Sequence, residues 1–128
     1  MKKPPRRART RAVTPTLSTE LTLGIAAALD KKAQDLIVLD LRKASAFTDV
    51  FVICTGTNVR QVHAIADAIQ QAIGSTGTKP ALVEGRGRAE WVLIDYFDFI
   101  FHIFTPATRE FYGLERLWAD AEKIEVPA

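Results

Sequence analysis

Residues 90–104, EWVLIDYFDFIFHIF, decide how this chain folds. The stretch is the most apolar part of the sequence, yet it carries one Trp, two Asp and one His. A two-residue turn at Tyr96–Phe97 divides it into two strands with period-two alternation. In that register Asp95 faces Asp98, Leu93 faces Ile100 and Trp91 faces His102. Trp91, Leu93, Ile100 and His102 then share one side; Val92, Ile94, Phe99, Phe101 and Ile103 share the other. Both sides are mostly apolar, as expected for strands inside a sheet. The two Asp sit at the tip, in reach of water. Phe97 is the awkward residue, because a tight turn calls for a positive φ that Phe resists. Either the loop is longer than two residues or Phe97 is strained. Its ring is then either a contact group or folded back on its own domain.

Upstream, Ser18 is a plausible N-cap for a helix over 19–33, with Leu21, Ile25, Ala28 and Leu29 at helical spacing. DLIVLDL at 35–41 reads as a buried strand and DVFVICT at 49–55 as a second. GTN at 56–58 opens a helix capped by Thr57 or Asn58, with Gln61 completing a weak capping box. Val59, Val62, Ile65, Ala66, Ile69 and Ile73 form its apolar face. GSTGTKP ends that helix, ALVEG is a short strand, and RGRAE leads into the hairpin. After Pro106, residues 107–121 read as one or two short helices. The order αββαβββα predicts an α/β domain: a mixed sheet of about five strands flanked by helices. The ordered domain is placed at 18–122, between a disordered basic Pro-rich tail, 1–17, and a short C-terminal tail, 123–128.

The 128 residues suit one domain, and no apolar run is long enough to span a membrane. There is no secretory h-region. The single cysteine, Cys54, excludes an internal disulfide and reads as a buried, inert thiol. The net charge of +2 hides an asymmetry. Lys2, Lys3, Arg6, Arg7, Arg9 and Arg11 leave 11 basic against 15 acidic residues in the rest, about −4. The body is therefore acidic. The tail has three readings: a solubilising extension, a weak tether to RNA phosphates, or an organelle transit-like segment.

No catalytic constellation is complete. Cys54 with His63 or His102 lacks a marked oxyanion hole. One Cys and two separated His do not make a zinc site. CTGTN before a helix lacks the lysine of a phosphate-binding loop, and EGRGR at 84–88 is too short to be diagnostic. Asp40 and Asp49 on neighbouring strands are an incomplete metal pair. The expectation is a non-enzyme with no cofactor and no metal. His102 reads as a packed core histidine; Trp91 reads as either an interface anchor or core.

Several segments together resemble the ribosomal silencing factor (RsfS/Iojap) family. They are KKAQDLIVLDL, FTDVFVICTGTNVRQVHAIAD, VEG, EWVLIDYFDFIFHIF and REFYGLERLW, covering about residues 31–118. The resemblance implies a nucleotidyltransferase-like fold without known catalysis. It implies binding to the large ribosomal subunit through the ribosomal protein numbered fourteen, on the intersubunit face. There the protein obstructs joining of the small subunit and represses translation; organelle relatives assist large-subunit assembly. It also implies that the tryptophan matching Trp91 lies in the docking surface. Asp95, Tyr96 and Asp98 extend that surface, with Glu84, Glu90 and His102 at its margin, since carboxylates around an aromatic anchor suit a basic partner. Family members usually carry Gly where this chain has Phe97. The expected setting is the cytoplasm, with an organelle matrix as the alternative. The rival functions are a large-subunit assembly factor using the same contact and a nucleotidyltransferase-like enzyme. A homodimer of the free protein is compatible with an exposed apolar surface.

Overall fold

The computed structural model describes residues 17–44 and 48–126. The chain runs α1 (Thr19–Asp30), β1 (Gln34–Asp40), β2 (Val50–Thr55), α2 (Val59–Gly74), β3 (Leu82–Glu84), β4 (Trp91–Asp95) and β5 (Phe99–Phe104). It ends with α3 (Pro106–Tyr112), α4 (Leu114–Leu117) and β6 (Glu122–Lys123). The mixed α/β architecture is the expected one, and the sheet has six strands in the order β3-β4-β5-β2-β1-β6. β2 and β5 run parallel, while the other neighbours are antiparallel.

Local chemistry explains the helix starts. The Ser18 side chain accepts a hydrogen bond from the Leu21 N–H at 3.1 Å. Asn58 does the same for Gln61 at 2.9 Å, and the Gln61 carboxamide reaches back past the N-cap to accept from the Thr57 N–H at 2.6 Å, a variant of the capping box. Gln61 also donates to the carbonyls of Lys31 and Lys32, tying the start of α2 to the end of α1.

The two helices α1 and α2 cover one face of the sheet. Leu21, Ile25, Ala28, Val62, Ile65, Ala66, Ile69 and Ile73 pack there against Val38, Val52, Cys54, Val92, Ile94, Phe101 and Ile103. Fully burying a side chain such as Phe101 contributes roughly 1.5–3 kcal/mol. The opposite face holds Leu39, Leu41, Phe51, Ile53, Ile100 and Phe104, with Leu114, Trp118 and Ala121 packed on it. The short helices thus cover the β1–β2 half of that face.

Two expectations need correction. The hairpin register is displaced by two residues: Trp91 pairs with Phe104, Leu93 with His102 and Asp95 with Ile100. The turn lies at Phe97–Asp98 rather than Tyr96–Phe97, with the Tyr96 N–H donating to the Phe99 carbonyl at 2.9 Å. Because the displacement is an even number, every strand residue keeps its assigned face. The body also continues past residue 122. Lys123 pairs with Leu39 in β6, and Ile124 is buried and donates its N–H to the Val38 carbonyl. A two-residue edge strand is too short to announce itself by alternation. The basic segment 1–16 lies outside the described residues.

Candidate functional site

The β3–β4 half of the second sheet face carries Leu82, Glu84, Trp91, Leu93 and Asp95. The register assigns them to one side, since Leu82 pairs with Asp95 and Glu84 with Leu93. Gly85 makes the approach of β3 to β4 possible. Its φ is +87°, and a Cβ there would lie 1.9 Å from the Trp91 carbonyl oxygen.

Trp91 is the centre of this half-face. Its indole stacks on Phe104 at a centroid distance of 4.9 Å and meets Tyr112 of α3 at 4.8 Å. Its Nε1–H donates to His102 Nδ1 at 3.1 Å. The two residues are diagonal neighbours on one face, so they meet although the register does not pair them directly. His102 is 3% exposed, with the Phe51 ring edge-on at 4.6 Å. Indole is only a donor, so Nδ1 carries the lone pair and Nε2 the proton. Nε2 has no hydrogen-bond partner within the protein. Burial pushes the imidazole down to about 4, which keeps it neutral at pH 7. Trp91 itself is half-buried, held between its ring neighbours and His102.

The short helices brace that ring. Arg109 of α3 donates to the Asp35 carbonyl and to Thr55 Oγ1, each at 2.8 Å. It also holds Glu115 Oε2 through Nε at 3.1 Å and Nη2 at 2.8 Å. Burial raises the Glu115 carboxyl, and Arg109's hydrogen bonds and charge more than reverse that, leaving it below the ordinary carboxylate value. Gly113, at φ +53°, makes the left-handed joint between α3 and α4. These ties place Tyr112 against Trp91 and leave Phe111 and Leu117 78% and 74% exposed. The residues REFYGLERLW were legible as helix, but nothing in their spacing said which rings would remain outside.

Of the expected contact residues, Glu84, Trp91, Asp95 and His102 lie on one sheet face. Glu84 is exposed and Asp95 half-buried. Glu90 is exposed just before β4, 3.4 Å from Arg88, and Asp98 is exposed at the hairpin tip. Tyr96 departs from this group. It is 7% exposed, packs on Phe99 at 5.1 Å in the helix-covered core, and its hydroxyl has no partner within the protein. With the turn one residue later, Tyr96 continues the alternation of Val92 and Ile94 and points inward.

The groups considered for chemistry are otherwise engaged. Asp40 accepts two hydrogen bonds from the Arg42 guanidinium, both at 3.0 Å. Burial raises its carboxyl, and the Arg42 contacts and charge outweigh that and hold it low. Cys54 is buried, and burial pushes its thiol up to about 12. Among the described residues no group of three or more His, Cys, Asp or Glu could hold a metal ion.

The sequence pattern of the family described as "Ribosomal silencing factor during starvation" matches residues 14–128. The chain belongs to the ribosomal silencing factor family. It is 40% identical over 101 residues to Ribosomal silencing factor RsfS of Bacillus subtilis, covering 79% of this chain and 86% of that one. A crystal structure from Chromobacterium violaceum superimposes with a TM-score of 0.75 at 33% identity, covering 85% of this chain and 88% of that one. A more distant relative is the mouse protein named "Mitochondrial assembly of ribosomal large subunit protein 1". It is 30% identical over 91 residues, which are 69% of this chain and 40% of that protein. The family includes both silencing factors and a protein named for large-subunit assembly.

Proposed function

We propose that this silencing-factor family member docks on the large ribosomal subunit through the open β3–β4 half-face and thereby keeps the small subunit from joining. The observation that carries this reading is the braced, half-buried Trp91 ring on the same sheet face as Glu84 and Asp95. Such an anchor brings a large apolar area whose ring is already fixed, so little side-chain freedom is lost on binding. The carboxylates, on a body of net charge about −4, steer it to a basic protein surface. The partner in this reading is the ribosomal protein numbered fourteen on the intersubunit face. Silencing is then a matter of occupancy: a competitor at a hundred times its dissociation constant shifts the joining equilibrium by about 2.7 kcal/mol. The basic segment 1–12 adds weak contacts with ribosomal RNA.

A second reading, large-subunit assembly through the same contact, draws on the mouse relative's name. The two separate in one experiment. Purified subunits are mixed with wild-type protein or with Trp91→Ala and Glu84→Lys variants, and joining is followed by light scattering. Silencing predicts that wild type suppresses joining and that both variants relieve it. Comigration of wild type with the large subunit while joining proceeds normally removes silencing and leaves assembly.

A further inference from the structure

The tip of the β4–β5 hairpin presents one aromatic residue in a conformation that works against its own stability. Phe97 has φ +74° and is 73% exposed. The Asp98 N–H donates back to the Tyr96 carbonyl at 3.0 Å, closing a three-residue γ-turn centred on Phe97. That turn is rare and strained for a residue with a side chain. The surroundings lock it in place. The Phe97 N–H donates to Asp95 Oδ1 at 2.7 Å, and the Phe97 carbonyl accepts from the buried Thr48 hydroxyl at 2.6 Å. The Asp98 carbonyl accepts from the N–H groups of Asp49 and Val50 at 3.1 and 3.2 Å. Both backbone polar groups of Phe97 are thus taken by the domain while its ring remains in water. A ring folded back as core would be the ordinary explanation of such a residue, and its exposure excludes that.

We propose that Phe97 is a specificity contact: a rigidly held apolar probe that inserts into a recess of a basic protein surface on the large subunit. The inference rests on the docking reading above and adds a second anchor, at the far end of β4 from Trp91. The charge around the tip sets the kind of partner. Asp49 and Asp98 are exposed and Asp95 half-buried, while Arg42, a cation near them among the described residues, is bound to Asp40. An acidic rim around an apolar tip repels nucleic-acid phosphates and suits Lys- or Arg-rich protein. Because the turn is already fixed, little ordering is lost when the ring enters its recess.

The test uses the full chain and purified large subunits, with Phe97→Gly and Phe97→Trp. Glycine adopts this φ freely, so Phe97→Gly raises the folded-to-unfolded ratio roughly threefold or more in urea titration. The same variant binds large subunits at least about tenfold more weakly, whereas Phe97→Trp retains binding. A gain in stability with a loss of affinity is the signature, because a structural residue would lose both together. Unchanged affinity in Phe97→Gly overturns the inference and leaves docking through Trp91 intact. A lower urea midpoint in Phe97→Gly also overturns it, by making Phe97 part of the fold. Failure of the wild type to bind large subunits removes both this contact and the docking reading.

Discussion

His102 should make the stability of this fold depend on pH in a window where few side chains titrate. The imidazole is enclosed by Phe51, Trp91 and Phe104, and its Nδ1 is occupied by the indole proton. Burial lowers its proton affinity from 6.5 to about 4. For a base, a lowered value means that the folded state resists the charge. As pH falls below about 6.5 the unfolded chain takes up a proton that the folded protein refuses. Stability is therefore lost progressively between about pH 6.5 and 4, and this contribution levels off below that. At about 1.4 kcal/mol for each tenfold change in proton affinity, the loss is about 3 kcal/mol. That is a large part of a domain stability of roughly 5–15 kcal/mol. The assay is urea unfolding from pH 7.5 to 4 for the wild type and for His102→Asn, whose side-chain oxygen can still accept from Trp91 and which carries no charge in either state. Asp40 and Glu115, held low in the folded state, lose their contributions at more acidic pH in both proteins, so they cancel in the difference. The wild type should lose about 3 kcal/mol more than the variant across the window. Parallel curves for the two proteins would refute a buried neutral His102.

Three further outcomes follow from the packing. Arg109→Ala removes four hydrogen bonds between α3 and its surroundings and strands Glu115. With Glu115 about one-third exposed, the cost should be about 2 kcal/mol, a drop of several degrees in Tm by calorimetry; an unchanged Tm would mean that the cluster does not hold α3 in place. Gly24→Ala should gain up to about 1 kcal/mol of helix propensity, yet its Cβ would lie 2.6 Å from Phe101 Cζ and 2.9 Å from Ile73 Cδ1. Overpacking should win by about 1 kcal/mol in urea unfolding, and a net stabilisation would show that α1 can move away from the sheet. The Cys54 thiol, at about 12 and fully buried, should react with a disulfide reagent at pH 8 only as fast as the protein unfolds. Rapid labelling of the native protein would contradict its placement.

Much of the architecture was legible because single residues announced it. Ser18 and Asn58 mark helix starts with a side-chain acceptor three residues before a donor, and both caps form. The α2 face is read by its period and is buried as read from Val62 to Ile73, while Val59, assigned to the same face, lies in the first turn and is exposed. The hairpin faces were right and its register was not, for one physical reason. Alternation fixes which side a residue occupies but is blind to a displacement by two. The register depends on the turn, and Phe97 at positive φ is a choice that propensity argues against. Tyr96 was misplaced by the same cause. The site was only partly legible. The residue types around Trp91 suggest an anchor, but its bracing by His102 and Tyr112 depends on a diagonal contact and on a helix folded back from residues 106–112. Arg109 joining Asp35, Thr55 and Glu115 spans 80 residues of sequence and leaves no local signal.

The central claim is that the braced Trp91 face is the docking surface on the large subunit. A cryo-EM reconstruction of the full chain bound to purified large subunits tests it most directly. The account predicts the β3–β4 half-face against the ribosomal protein numbered fourteen, with Trp91 covered and the α1–α2 layer turned to solvent. A complex in which α1 and α2 meet the subunit and Trp91 remains open to water would contradict it.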